Sequence, residues 1–168
     1  MSNVVVRPAT PADLPDLRLA MVELQEHERR LSPTRLPGER IADAHLVRLQ
    51  QEVAERQGAI FVAESESAFA GLAVGWIIER DHIPESRDSN RFGCLSDICV
   101  MPAFRRKRIA HRLLDAPERH FASAGVTRFR LSALAANAPA RATYESAGFS
   151  PYEILYERLV DSHSTPIP

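Results

Sequence analysis

The feature that most limits the fold is a strand that leads through a proline into a run of cations. Residues 95–100 are mostly apolar and predict a strand, Pro102 ends it, and a helix is predicted to begin after the cations of residues 105–108. A helix N-terminus has main-chain N–H groups without acceptors and a partial positive charge. Cationic side chains at such an end predict an anion site, and phosphate is the obvious anion. The alternative is a solvated basic face at the start of a helix.

Interleaved helices and strands are predicted along the rest of the chain. Apolar runs and alternating patterns predict strands at residues 4–6, 60–63, 68–78, 95–100, 128–134 and 154–159. Apolar residues at helical spacing predict helices from Pro11 to a stop at Pro33, over residues 39–57, from the cationic turn to Gly125, and over residues 137–147. Pro117 lies inside the third helix and predicts a kink or a break there. The pattern predicts an α/β fold in the broad sense, a mixed sheet with helices.

The length of 168 residues fits a single domain, which we place at residues 1–160, with residues 161–168 as a disordered tail. A net charge of −1 provides no overall field that would attract nucleic acid or an anionic membrane. The sequence contains no apolar run of the roughly 18 residues that a membrane span needs, and residues 1–7 contain no apolar signal segment. We therefore expect a cytoplasmic protein that binds neither membranes nor nucleic acid.

Cysteines and histidines give no sign of a disulfide or a metal site. Cys94 and Cys99 lie five residues apart in one predicted strand, where alternation would place their side chains on opposite faces. They cannot pair easily, so we expect two reduced thiols. The six histidines are scattered and have no Cys or His partner at ligand spacing, so no metal is expected.

The cationic stretch has a definite order, which is Arg105, two residues, Arg108, one residue and Ala110. This order resembles the pyrophosphate-binding motif of the GCN5-related N-acetyltransferase (GNAT) family, which reads Gln or Arg, two residues, Gly, one residue, and Gly or Ala. Arg108 stands at the first glycine of that motif. Main-chain N–H groups bind the anion in the family, so an arginine is compatible with the motif if its φ and ψ stay ordinary.

A second match lies in the last predicted helix. Its members, in chain order, are Asn137, Ala140, Tyr144, Gly148 and Phe149. They are similar to the Asn, Ala, Tyr and Gly-Phe series that follows the fifth strand of GNAT proteins. Residues 95–102 are similar to the strand that precedes the family's pyrophosphate motif, and the resemblance spans about residues 4–159.

The resemblance implies a GNAT-type fold, with a central mixed, mostly antiparallel sheet flanked by helices, and acetyl-CoA as the acyl donor. It implies that the pantetheine arm pairs with a strand as an extra strand would. The residues that it assigns to acetyl-CoA are Ile98, Cys99, Val100, Arg105, Arg106, Lys107, Arg108, Ile109, Ala110, Asn137 and Tyr144. Within this set, Asn137 contacts the CoA arm and the hydroxyl of Tyr144 faces the thioester sulfur. The alternative for Tyr144 is a core aromatic.

Transfer to an amine requires a group that removes a proton. An alkyl ammonium with a pKa near 10 is only about one part in a thousand neutral at pH 7, a handicap of roughly 4 kcal/mol. Asp97 is the candidate, directly or through water, and an ion-paired or structural acid is its alternative. Tyr144 is expected to give a proton or a hydrogen bond to the departing thiolate. Glu28 would face inward and hold the amine if the first helix lasts that far, and would lie in water if the helix ends at His27.

We therefore predict an N-acetyltransferase that transfers the acetyl group of acetyl-CoA to a primary amine of a small molecule or peptide by direct attack on the thioester. The acceptor is expected to be a cation that is attracted by acids on the first helix and in the loop at residues 79–91. A non-catalytic acyl-CoA-binding regulatory domain of the same fold is the alternative. A nucleic-acid module that uses the cationic turn is a third hypothesis. A homodimer is compatible with the resemblance.

Overall fold

The computed structural model of the protein describes residues 4–160, which form a five-stranded sheet with helices on both faces. The strands are β1 (Val4–Pro8), β2 (Ala59–Ser65), β3 (Ala68–Glu79), β4 (Arg91–Val100) and β5 (Phe129–Leu131). They lie side by side in chain order. Neighbours from β1 to β4 pair antiparallel, and β5 pairs parallel to β4. The predicted mixed, mostly antiparallel sheet is confirmed.

The helices are α1 (Leu14–Leu31), α2 (Gly38–Glu55), α3 (Ile109–Ser123) and α4 (Ala138–Ser146). One buried cluster joins α1 and α2 to the sheet, and its large members include Leu17, Met21, Leu49, Leu72 and Trp76. A second cluster joins α3 to the opposite face, and it includes Ala63, Ala73, Leu95, Ile109 and Leu113. The sheet therefore has one apolar core on each face, the first beneath α1 and α2 and the second beneath α3.

Asp13 fixes the entry to α1. Its Oδ2 accepts hydrogen bonds from the main-chain N–H and the hydroxyl of Thr10, at 2.6 and 2.9 Å. The guanidinium of Arg7 donates to both oxygens of Asp13 at 2.8 Å and also pairs with Glu64 on β2. These bonds from Arg7 hold the pKa of the buried Asp13 carboxyl well below its usual range. One carboxylate therefore ties the first strand to the first helix.

α3 continues through Pro117, so of the predicted kink or break the break is wrong, and the kink stays a prediction. The proline removes one main-chain donor from the helix. Its ring is fully buried, as is the neighbouring side chain of Phe121. Burial of both rings under the sheet offsets the loss of one hydrogen bond.

β5 and the segment after α4 differ most from the sequence prediction. β5 spans only Phe129–Leu131, and residues 151–160 form no strand, so the strand predicted at residues 154–159 is wrong. The apolar side chains of this segment are exposed, that of Leu155 by 94%. Alternating apolar residues form a strand only beside a partner with free main-chain groups. The tail predicted at residues 161–168 lies outside the described residues.

A bulge interrupts β4 at Ser96. Val74 of β3 pairs with Asp97 and Gly75 pairs with Leu95, which leaves Ser96 as an extra residue on β4. The bulge lets Leu95 face α3 while Asp97 faces α2. Without it, the alternation of a strand would put both side chains on the same face.

The bulge also changes the placement of the two cysteines, which are both free thiols. Cys99 belongs to the cluster beneath α1 and α2, and Cys94 lies directly opposite Trp76 of the same cluster. The prediction that they face opposite sides is wrong, because the extra residue breaks the alternation between them. Burial raises the pKa of the Cys99 thiol to about 12. This thiol therefore stays protonated at neutral pH.

Candidate active site

β4 presents an open main-chain edge beyond its contact with β5. β5 pairs only with residues 93–95 of β4. From Ser96 to Val100 the strand has no partner on that side within residues 4–160. The edge includes Ile98, Cys99 and Val100, the residues predicted to face the pantetheine arm. An extended chain that carries amide groups could pair with it as an additional strand.

The turn between β4 and α3 presents main-chain N–H groups. A short 3-10 turn (Pro102–Phe104) follows β4, and α3 begins at Ile109. The N–H groups of residues 106–111 donate to no carbonyl of the described chain. Arg106 and Arg108 have left-handed backbones, with φ of 61° and 58°, which turns successive N–H groups toward one side. Such a concavity at a helix N-terminus binds anions.

The backbone of Arg108 does not meet the condition that its φ and ψ stay ordinary, because it is left-handed. A residue with a Cβ is disfavoured in the left-handed conformation by roughly 1–2 kcal/mol. α3 begins directly after this residue, with Arg108 at the N-cap position. The chain thus takes at Arg108 the left-handed conformation that a glycine would adopt without strain.

The cations of the turn have different roles. Nη2 of Arg105 donates to Glu23 of α1 at 2.8 Å, and its Nε donates to the carbonyl of Val100 at 3.1 Å. Arg105 therefore holds the turn against α1 and the end of β4. The remaining cations are exposed and lie at the rim of the turn: Arg106, Lys107 and Arg108. The side chain of Ile109 is buried and that of Ala110 half-buried, so these two contribute main-chain N–H groups.

Asn137 and Tyr144 lie at opposite ends of α4. Asn137 caps the helix, because its Oδ1 accepts from the N–H of Ala140 at 3.2 Å. Tyr144 packs against the same core cluster as the open half of β4. Burial raises the pKa of Tyr144 to about 12, and the negative charge of Glu28 adds to the rise. The charge of Glu28 on α1 therefore acts on Tyr144 of α4.

Asp97 is a buried acid that forms hydrogen bonds through both carboxylate oxygens. Its Oδ1 lies 2.9 Å from Nε2 of His45 on α2, and its Oδ2 accepts from the hydroxyl of Ser96 at 2.6 Å. The residue is only 8% exposed. These contacts agree with the alternative reading of Asp97, in which it is a structural acid held by polar partners.

His45 is a member of the site that the sequence analysis missed. A signal was present, because His45 lies three residues after Ala42 and four before Leu49, two buried positions on one face of α2. The hydrogen bond with Asp97 raises the pKa of His45, and burial of the ring opposes that rise. A histidine held beside a carboxylate in this way can exchange protons near neutral pH.

Glu28 lies within α1, because the helix continues past it. The alternative in which the helix ends at His27 is wrong. The carboxylate is half-buried and lies 3.1 Å from the guanidinium of Arg35. Its charge acts on both Tyr144 and His45. Glu28 is therefore placed near both of the groups that could move a proton.

The acids of α1 are engaged by other groups, and the part of the chain that the structure describes contains neither a metal site nor a membrane-spanning helix. Glu23 and Glu26 are not free acids, since they accept hydrogen bonds from Arg105 and from the N–H of Gly38. All three acids of the suggested rim that lie on α1 are paired with guanidinium groups: Glu23 with Arg105, Glu26 with Arg29 and Glu28 with Arg35. Within residues 4–160, no three His, Cys, Asp or Glu side chains could together hold a metal ion. No helix there combines the length and hydropathy of a membrane span.

An open strand edge that leads into an anion-binding turn fits an extended ligand with amide groups in its arm and a phosphate group at its end. The sequence matches the profile of the Acetyltransferase (GNAT) family over residues 20–149. The chain belongs to this family, as its motifs predicted. A comparison with curated proteins gave no significant match.

Solved structures of acetyltransferases share the fold. The aminoglycoside N-acetyltransferase AAC(6')-Iy, solved with CoA, is 20% identical with a TM-score of 0.70, over 95% of this chain and 96% of that one. AAC(6')-IG from Acinetobacter haemolyticus is 23% identical with a TM-score of 0.66, over 94% and 99%. Glucosamine-6-phosphate N-acetyltransferase from Arabidopsis thaliana is 19% identical with a TM-score of 0.61, over 95% and 99%. At these identities the likeness is one of fold.

Proposed function

We propose that the chain is an acetyl-CoA-dependent N-acetyltransferase that acetylates a primary amine by direct attack on the thioester. Membership of the GNAT family and likeness to a structure solved with CoA support acetyl-CoA as the donor. The observation that carries the proposal is the continuity between the open β4 edge and the N–H groups of residues 106–111. An arm with amide groups could pair with the edge while its pyrophosphate reaches the turn.

The residues of the site fit the parts of acetyl-CoA. The main chain from Ile98 to Val100 would pair with the pantetheine arm. The N–H groups of residues 106–111, together with the exposed cations beside them, would hold the pyrophosphate. The side-chain amide of Asn137 keeps its N–H donors for the CoA arm, because only its oxygen is used in capping α4. The donor supplies an acetyl group that is already activated as a thioester.

Tyr144 would donate a hydrogen bond to the sulfur that leaves. With a pKa of about 12, it stays protonated at neutral pH. An ordinary thiol has a pKa of about 8.5, so complete transfer of the phenol proton to a thiolate is uphill by roughly 5 kcal/mol. We therefore assign to Tyr144 the stabilisation of charge on sulfur rather than delivery of the proton.

The acceptor must lose a proton before it attacks, and the hydrogen-bonded pair of Asp97 and His45 is the group we propose for its uptake. Glu28 would hold a cationic acceptor in exchange for its ion pair with Arg35. The solved neighbours are named as acetyltransferases of aminoglycosides and of glucosamine 6-phosphate, which are amine-bearing sugars. We propose an amine-bearing small molecule of this kind, with a peptide amine as the alternative.

A panel of amines with acetyl-CoA, read by release of free thiol, tests the function. We expect release that depends on at least one amine, and a melting midpoint that rises with CoA concentration. Arg106→Ala in the turn should weaken CoA binding, whereas Arg40→Ala on the exposed side of α2 is the matched control and should not. Stabilisation by CoA without thiol release for any amine would favour the non-catalytic acyl-CoA-binding domain. No stabilisation by CoA would refute the proposal.

A further inference from the structure

We propose that His45 accepts the proton of the acceptor amine and that Asp97 acts as its positioning residue. This inference rests on the proposed function. The amine nitrogen bonds to the acetyl carbon, and the carbon–sulfur bond breaks with its electron pair going to sulfur. One proton of the ammonium passes to His45 and then to solvent. The proton displaced when the amide forms ends on the CoA thiol.

Both oxygens of Asp97 are already occupied. Oδ1 lies 2.9 Å from Nε2 of His45, Oδ2 accepts from Ser96 at 2.6 Å, and the carboxylate is buried. A proton taken up by this carboxylate would have to displace one of these partners. Imidazole is also the stronger base of the two kinds of side chain, with a reference pKa of about 6.5 against about 3.9 for an aspartic acid. The pair therefore takes up a proton more readily on its imidazole.

The hydrogen bond fixes which ring nitrogen of His45 can act. An ionised carboxylate only accepts hydrogen bonds, so Nε2 of His45 carries the hydrogen that points to Asp97. In a neutral imidazole the lone pair then lies on Nδ1, which has no hydrogen-bond partner within residues 4–160. The side chain is 28% exposed, so a substrate can reach the ring. Asp97 thus holds His45 in the tautomer and orientation of a base.

The charges around His45 come from three elements. Asp97 faces it from β4, Glu28 from α1, and Arg48 from its own helix. The hydrogen bond to Asp97 has the largest effect, it outweighs the burial of the ring and the charge of Arg48, and the pKa of His45 is raised. Glu28 acts on Tyr144 of α4 as well. The charge of one carboxylate therefore acts on both the proton acceptor and the hydrogen-bond donor to sulfur.

The pH dependence of kcat/KM tests this assignment. In the wild type, kcat/KM should rise with pH through the raised pKa of His45, because only the neutral imidazole accepts a proton. Asp97→Asn keeps a hydrogen-bond acceptor but removes its charge, so this limb should move to lower pH by about one unit. His45→Gln should remove the limb and lower the plateau by roughly 10²- to 10⁴-fold.

A matched control is His120→Gln on α3, which replaces a histidine that is hydrogen-bonded to the carbonyl of Gln57. The His120→Gln variant should keep the rise of kcat/KM with pH that the wild type shows. The acceptor amine also titrates, and it does so equally with every variant. The role of His45 is therefore taken from differences between the pH profiles of kcat/KM of the variants. NMR titration of the wild-type His45 ring needs no variant, and it should give the same pKa as the kinetic limb.

An NMR pKa that differs from the kinetic limb would overturn the inference. So would a limb and a plateau that stay unchanged in both Asp97→Asn and His45→Gln, and in that case the proposed function would stand. If the wild type itself releases no thiol with any amine, the proposed function fails and the inference fails with it.

Discussion

Replacement of Arg108 by glycine should stabilise the protein, because the backbone at this position is left-handed. Arg108 has φ of 58° and ψ of 18° at the start of α3. A residue with a Cβ is disfavoured there by roughly 1–2 kcal/mol, whereas glycine is not. Glycine loses roughly 0.5–1 kcal/mol more in conformational entropy on folding than alanine does. The glycine variant should therefore be more stable than an alanine variant by about 0.5–1 kcal/mol.

Arg108→Ala is the matched control, because it removes the same charge and keeps the Cβ. Urea unfolding followed by the fluorescence of Trp76, the single tryptophan and a buried one, measures the free energy of unfolding of both variants. In thermal unfolding, the glycine variant should melt about 1–4 °C above the alanine variant. Both should bind CoA more weakly than the wild type, since both lack the cation. Equal stabilities, or a more stable alanine variant, would refute the conclusion that Arg108 strains the turn.

Two further predictions concern the leaving sulfur and the entry to α1. Tyr144→Phe should lower kcat by roughly 10²- to 10³-fold, the effect of losing one positioned hydrogen-bond donor, and leave CoA affinity nearly intact. An unchanged kcat with chemistry rate-limiting would remove Tyr144 from this role. Asp13→Asn should lower the melting midpoint by about 2–4 °C at neutral pH. Folding lowers the pKa of Asp13, so the wild type should begin to lose this advantage over Asp13→Asn as pH falls below about 4. A difference between the two melting midpoints that stays the same from about pH 7 to about pH 3 would contradict the assignment.

Local signals were enough to predict the elements that carry the motifs. Asn137, predicted to begin the last helix, caps α4, and the helix expected after the cationic turn begins at Ile109. Leu17 and Met21 of the first helix are buried, as their spacing predicted, and the helix continues past Glu28, whose charge acts on Tyr144. Capping and helical periodicity depend on residues within a few positions of each other, so one sequence contains them.

The rest of the site depends on pairs that are distant in sequence. His45 and Asp97 are 52 positions apart, and their contact depends on the packing of α2 over one particular register of β4. The bulge that sets this register has no local signal, because it depends on which residue of β3 lies opposite. The segment at residues 154–159 has the residue types of a strand, but those residues do not specify which other strand it would pair with. Patterns within a segment therefore predicted its type more reliably than its partners.

The bulge at Ser96 separates a part of β4 that packs in the core under α3 from a part that contacts α2. A substitution at Leu95 changes the packing under α3, whereas a substitution two positions later, at Asp97, changes the charge presented to α2. Deletion of Ser96 would force one of these side chains onto the wrong face of the sheet. With the extra residue in place, mutation can explore new acid–base chemistry after the bulge while the scaffold before it stays intact. Stability and chemistry can thus evolve independently along a single strand.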